Sequence, residues 1–236
     1  MIRTILYFLI ACTPPAEAHL NIDLQPEYIE DYEAELDPFA PRGLKAAYRS
    51  SVAIQVSNDG LLQGSGSGNY FKLFKHRFII TAAHVVEEGN EIIIMEKGYS
   101  MTEAEVVYID RETDIAVLVP KEKLRYTKAL PFRRDISNQM GERVYHCGHP
   151  AREGWHISEG LLTGTHTDVL MVNTFAWPGS SGSVLFDESG RVLGVLSAIR
   201  VDGPFGLPSM VEHIVIASNI KTLEQETLKA ALENVR

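Results

Sequence analysis

Three short runs in this chain carry the residue types of an activated serine. In order they are Thr81-Ala82-Ala83-His84, Thr113-Asp114-Ile115-Ala116 and Gly179-Ser180-Ser181-Gly182-Ser183. A serine hydroxyl is a poor nucleophile at neutral pH. It becomes a good one when an imidazole takes its proton and a carboxylate holds that imidazole in a single tautomer. Singly, each run has a plain reading: a core histidine, an acid in a turn, a Gly/Ser surface loop. Found together, they point to nucleophilic chemistry. Asp110 is the rival acid, but the charged pair Arg111-Glu112 follows it and predicts a surface turn. Asp114 precedes the apolar run Ile115–Val119, which predicts a partly buried carboxylate in need of a donor. Ser180 and Ser183 compete with Ser181 on residue type alone.

The order of the three separates known solutions, because α/β-hydrolases run Ser, Asp, His and subtilisins run Asp, His, Ser. The order His, Asp, Ser, with Thr81-Ala82-Ala83-His84 at the base, resembles the trypsin-like (chymotrypsin-fold) serine peptidases. The short intervals between the three residues are closer in style to bacterial heat-shock (HtrA-type) or viral and phage relatives than to digestive enzymes. The resemblance implies an all-β fold of two six-stranded antiparallel barrels with a C-terminal α-helix docked on the second. It also implies a serine endopeptidase that hydrolyses peptide bonds through an acyl-enzyme. His84 would be the base, Asp114 its orienter and Ser181, set between glycine-type positions, the nucleophile. The N–H groups of Gly179 and Ser181 would form the oxyanion hole. Gly194–Ile199 resembles the strand that pairs with the substrate backbone, a mode that draws affinity from main-chain hydrogen bonds. Phe175, Ala176, Ser197, Ala198 and Ile199 are the expected substrate contacts. Phe175 stands where an acid would select Arg or Lys, and no histidine stands near Leu196 to select Glu, so a small or medium apolar side chain is expected. Phe175 is equally open to being a core residue. Ser180 replaces the aspartate that digestive relatives pair with a new N-terminus, so no activating cut is expected. Ser183 replaces a common glycine.

Composition sets the frame. The chain has 236 residues, 45% of them hydrophobic, enough to build one sizeable core or two small lobes. A net charge of −9 argues against a nucleic-acid partner, which needs clustered Lys and Arg. Cys12 and Cys147 are the only cysteines, which excludes a disulfide scaffold. His146-Cys147-Gly148-His149 could be a fragment of a metal site, but it offers too few ligands, and neither metal nor cofactor is expected. Short apolar runs from Ser51 to Val119, and again from Arg143 to Ala217, predict two strand series. Gly64-Ser65-Gly66-Ser67-Gly68 reads as a hairpin connection between strands. Trp155 and Trp177 read as packing residues. Ile220, Leu223, Leu228 and Leu232 share a helical face, and Ser218 is the expected cap. The expected peptidase domain is 45–236, with an N-lobe over 45–125, a C-lobe over 135–217 and a helix over 218–235.

The N-terminus reads differently. Residues 1–18 carry Arg3 and a short apolar run, the pattern of an export signal, too short for a membrane span of about 20 apolar residues. Two endings remain open: a lipobox at Leu9-Ile10-Ala11-Cys12, with Cys12 as lipid anchor, or cleavage after Ala16-Glu17-Ala18. Residues 19–44 are acidic and proline-broken, a linker or pro-segment. The protein is therefore expected to be exported: periplasmic, envelope-anchored or extracellular. No accessory domain is expected after the helix. The expected partner is a protein or peptide substrate. The alternatives are a catalytically silent binding module and a maturation protease restricted to itself or one partner.

Overall fold

The computed structural model describes residues 36–234 except 88, 99, 136, 151–153 and 202–209, together with only the backbone of 198–201 and 210–213. The expected export signal, Cys12 and most of the acidic segment lie outside the described residues. The first element is a helix, α1 (Arg42–Ser50), which begins within the stretch expected to be linker. Pro41 stands immediately before it, where a missing N–H costs nothing. Its buried residues are Gly43, Ala46, Ala47, Tyr48 and Ser50, at helical spacing. All but Tyr48 are small, so the helix lies close against its neighbours. A Cβ on Gly43 would stand 2.0 Å from the Asp187 carbonyl.

The first barrel is built from β1 (Ser51–Asn58), β2 (Leu61–Leu73), β3 (His76–Thr81), β4 (Glu91–Met95), β5 (Met101–Asp110) and β6 (Ile115–Pro120). Its order is β1-β4-β5-β6-β3-β2, closed by the β1–β2 pairing. The β1–β2 hairpin turns at Asp59-Gly60, with φ of 50° and 75°, as the twist-matched two-residue hairpin requires. This corrects one expectation. The Gly64–Gly68 run is not a connection but lies within β2, paired with β1 from Val56↔Gly64 to Val52↔Gly68. β7 (Leu130–Pro131) adds to β2 in parallel.

The second barrel is β8 (Arg143–Gly148), β9 (His156–Thr165), β10 (Val169–Thr174), β11 (Val184–Asp187), β12 (Val192–Val201) and β13 (Met210–Asn219), closed in the order β10-β13-β12-β11-β8-β9. One core runs through both barrels. Phe71 on β2 lies 6.0 Å from both Phe78 on β3 and Phe186 on β11, ring centre to ring centre, and 5.4 Å from Phe132. A smaller cluster around Leu162, Leu170 and Leu185 fills the second barrel.

The chain ends in a 3₁₀ turn, Ile220–Thr222, and a helix α3 (Gln225–Glu233). Ser218 is part of β13 rather than a cap, and Glu224 stands at the N-cap. α3 packs against β5 of the first barrel and buries Leu228 and Leu232 in the core shared by both barrels. No helix among the described residues is long and apolar enough to cross a membrane.

Candidate active site

β3 is buried along Phe78–Thr81 and is followed by Ala82 and Ala83, both buried. Side chains this small let a one-turn helix, α2 (Ala83–Val86), follow directly and turn His84 toward the lobe interface. Asp114 sits in the β5–β6 connection at φ 53°, a left-handed conformation that Asp tolerates better than most residues. Its carboxylate accepts the His84 backbone N–H at 2.9 Å and the ring Nδ1–H at 2.8 Å. The Ser197 hydroxyl on β12 donates to the same carboxylate. With Nδ1 as donor, the neutral ring carries its lone pair on Nε2. That nitrogen is buried and has no hydrogen-bond partner among the described residues.

Asp110 does a different job. It accepts the N–H of Glu112 at 2.9 Å and the Thr113 hydroxyl at 2.7 Å. Partial burial pushes its carboxyl pKa up, but these donors outweigh burial and hold it below the usual range. Asp110 thus shapes the turn that delivers Asp114.

The glycine–serine loop is two tight turns in succession. The Ser180 N–H reaches the Trp177 carbonyl at 2.8 Å across Pro178-Gly179, and the Ser183 N–H reaches the Ser180 carbonyl at 3.0 Å across Ser181-Gly182. Gly179 at φ 97° and Gly182 at φ 86° occupy the third position of each, where a type II turn needs positive φ. Among the described residues the N–H groups of Gly179 and Ser181 have no acceptor. The loop rests against the histidine motif. A Cβ on Gly182 would come within 2.2 Å of Thr81 Oγ1 and 3.1 Å of the Ala82 nitrogen. The structure therefore brings the three sequence runs to one place. The Ser181 hydroxyl does not reach His84 Nε2 in this state.

The expected substrate contacts divide. Phe175 is about half exposed and stacks on Trp177 with ring centres 6.1 Å apart, so it is not a core residue. Ala176 packs against the smaller core. Ser197 turns its hydroxyl onto Asp114, a contact sequence reading missed. Ala198 and Ile199 lie on β12, paired with Ile216 and Val215, and their side chains are outside the described residues. His146 offers Nε2 to the Phe175 carbonyl at 3.0 Å, and burial pushes its pKa down to about 4. Burial pushes the Cys147 thiol up to about 11. His149 packs edge-on against Trp155. A pocket of about 300 Å³ opens beside the acid, lined by His84, Asp114, Ser197, Glu87, Arg111 and Asp168 among others.

Known proteins resemble this chain in sequence and in fold. The chain is 28% identical over 197 residues to a probable periplasmic serine endoprotease, DegP-like, of Rhizobium meliloti, covering 78% of this chain and 39% of the relative. It is 30% identical over 152 residues to Protease Do-like 1, chloroplastic, of Arabidopsis thaliana, covering 58% of this chain and 34% of the relative. The chain thus spans between a third and two fifths of the length of these curated relatives. Among solved structures, the HtrA-type protease AlgW with tripeptide superposes with a TM-score of 0.66 at 22% identity, over 81% of this chain and 62% of that one. The serine endoprotease from Yersinia pestis gives 0.63 at 22% identity, over 81% and 66%. A trypsin-like peptidase domain profile matches residues 66–195, from the strand behind Ser181 to the strand that carries Ser197. That match spans more than half of the chain and contains all three converging residues, so the chain belongs to the trypsin-like peptidase domain family.

Proposed function

We propose that this protein is a serine endopeptidase working through His84, Asp114 and Ser181. One observation carries the proposal: the Asp114 carboxylate holds Nδ1–H, leaving the buried Nε2 lone pair as the base. Ser181 Oγ attacks the scissile carbonyl while Nε2 takes its proton. The same nitrogen returns that proton to the leaving amine, and water then hydrolyses the acyl-enzyme by the reverse sequence. Asp114 keeps its negative charge throughout and stabilises the imidazolium. The free N–H groups of Gly179 and Ser181 are the candidate oxyanion donors, and losing one such donor typically costs about 10²–10³ in turnover. The unmade Ser181–His84 contact is consistent with a resting enzyme, because catalytic hydrogen bonds often tighten only when substrate is bound.

The β12 edge around Ser197–Ile199 would take the substrate as an added strand. Phe175 and Ala176 supply apolar wall and no charge, which supports a small or apolar side chain before the cut. The periplasmic naming of the relatives supports export.

Fluorophosphonate labelling tests the proposal. Wild type should label, and Ser181→Ala should abolish labelling. Asp114→Asn should slow it by about 10⁴, as expected when the wrong tautomer is favoured. A folded wild type that does not label would remove the peptidase reading and leave a silent binding module. Labelling combined with failure to cut general protein substrates would favour an enzyme restricted to one partner.

A further inference from the structure

The glycine–serine run of β2 has no role in the chemistry above, yet one of its residues holds the loop that carries Ser181. Ser67 is fully buried in the first barrel. Its N–H donates to the Ser181 carbonyl at 2.7 Å. Its hydroxyl donates to the Gly179 carbonyl at 2.7 Å and accepts the His149 N–H at 2.8 Å. Its own carbonyl accepts the Thr81 hydroxyl at 2.7 Å, three residues before His84. One residue thus grips the histidine motif on one side and the serine loop on the other.

The position of the grip matters. The Ser181 N–H belongs to the peptide between residues 180 and 181. The peptides on either side of it, 179–180 and 181–182, both end their carbonyls on Ser67. Inside the loop the two turn hydrogen bonds hold the Trp177 and Ser180 carbonyls, and the Ser180 hydroxyl accepts the Trp177 N–H at 3.3 Å, which leaves the Gly179 and Ser181 carbonyls to Ser67. The neighbouring glycines allow the approach. A Cβ on Gly66 would stand 3.0 Å from the Ser181 carbonyl and 2.7 Å from both Val85 methyls, and one on Gly182 would stand 2.2 Å from the Ser67 carbonyl. The run is a strand of small residues because a catalytic loop has to lie on it.

We propose that Ser67 is a positioning residue for the oxyanion-binding segment. Its hydroxyl and N–H keep the Gly179–Ser181 peptides turned so that their N–H groups stay free for substrate. Its carbonyl sets that segment in register with His84. The proposal rests on the serine peptidase reading, but its test is separate from it.

The test uses Ser67→Ala and the near-isosteric Ser67→Cys, a weak donor, in the full chain. Turnover of a peptide substrate is measured per active site titrated with fluorophosphonate. The affinity of a peptidyl boronate, which mimics the tetrahedral state, is measured beside it. Ser67→Ala should lower kcat by roughly 10- to 100-fold, somewhat less than outright loss of an oxyanion donor. KM should stay within about threefold, and boronate affinity should fall in parallel with kcat/KM, the signature of an interaction made in the transition state. Ser67→Cys should fall between wild type and Ser67→Ala. A folded Ser67→Ala with unchanged kcat per titrated site overturns the proposal, as does a loss confined to melting temperature. If Ser67→Ala does not fold, an unchanged kcat in Ser67→Cys overturns it equally. An inactive wild type would instead remove the peptidase reading itself, and this proposal with it.

Discussion

At the scale of single residues, the interior polar groups define what pH does to this protein. His146 is fully buried on β8, its Nε2 on the Phe175 carbonyl. Burial holds its pKa at about 4, against the opposing effect of the hydrogen bond to the Phe175 carbonyl. In the unfolded chain the ring titrates near 6.5. Between those two values the unfolded chain binds a proton that the folded protein refuses, so stability falls as pH drops from about 6.5 toward 4. The loss attributable to this ring by pH 4.5 is on the order of 2–3 kcal/mol. Unfolding free energy from urea titrations at pH 7.5 and 4.5 should therefore fall more steeply in wild type than in His146→Gln. The variant keeps a donor for Phe175 but carries no titrating ring. Parallel slopes in the two proteins would mean that the folded state accepts the proton.

At the scale of elements, α1 packs against the second barrel through a face of mostly small side chains. Gly43→Ala poses two effects of opposite sign. Alanine favours a helix over glycine by about 1 kcal/mol. Its Cβ, however, would meet the Asp187 carbonyl at 2.0 Å and the Tyr145 ring at 2.7 Å, and the first of these is backbone that cannot swing away. Overpacking of this kind costs about 1–3 kcal/mol, so the clash should win. A melting temperature lower by about 2–8 °C is expected, as read by circular dichroism; a rise would mean that α1 is free to shift outward. The same helix shows why some elements were not legible. Four of its five buried residues, Gly43, Ala46, Ala47 and Ser50, are small and only Tyr48 is large, so its nine-residue amphipathic pattern is hard to separate from the acidic stretch before it. The β2 glycine run misled for a related reason, since its glycines answer to close approach by another segment and not to a local turn. β3 and the apolar strand after Asp114 were readable because their burial is written in continuous Ile, Val and Leu. The Ser197–Asp114 contact was invisible for want of any local pattern, as the partners are 83 residues apart. The packing of α3 against β5 was likewise hidden, because Leu228 and Leu232 declare that a face is buried but not which strands cover it.

At the scale of the whole molecule, the two barrels are joined through a common interior. Tyr145, Cys147, Val184 and Phe186 of the second barrel belong to the same buried cluster as Ile54, Phe71 and Phe78 of the first. The polar seam runs in the same direction, from Ser67 to the serine loop and from the Asn69 side chain to the Val184 N–H at 2.9 Å. The proposed site, with base and acid on one barrel and nucleophile on the other, needs this coupling, since barrels that breathed apart would separate His84 from Ser181. Two probes can test it together. Trp155 lies over the Lys97 ammonium, 4.4 Å from the ring centre, and Trp177 stacks on Phe175, so tryptophan fluorescence reports the lobe interface and the site. Far-ultraviolet circular dichroism reports the strands of both barrels. Under increasing urea the two signals should fall in one coincident transition, as expected of a single cooperative unit. Phe71→Ala removes a fully buried ring from the shared cluster and should lower the free energy of that transition by about 3–5 kcal/mol, moving both curves together. If fluorescence changed at lower urea than circular dichroism, and Phe71→Ala widened the gap, the barrels would be independent bodies. The catalytic geometry would then depend on substrate to draw them together.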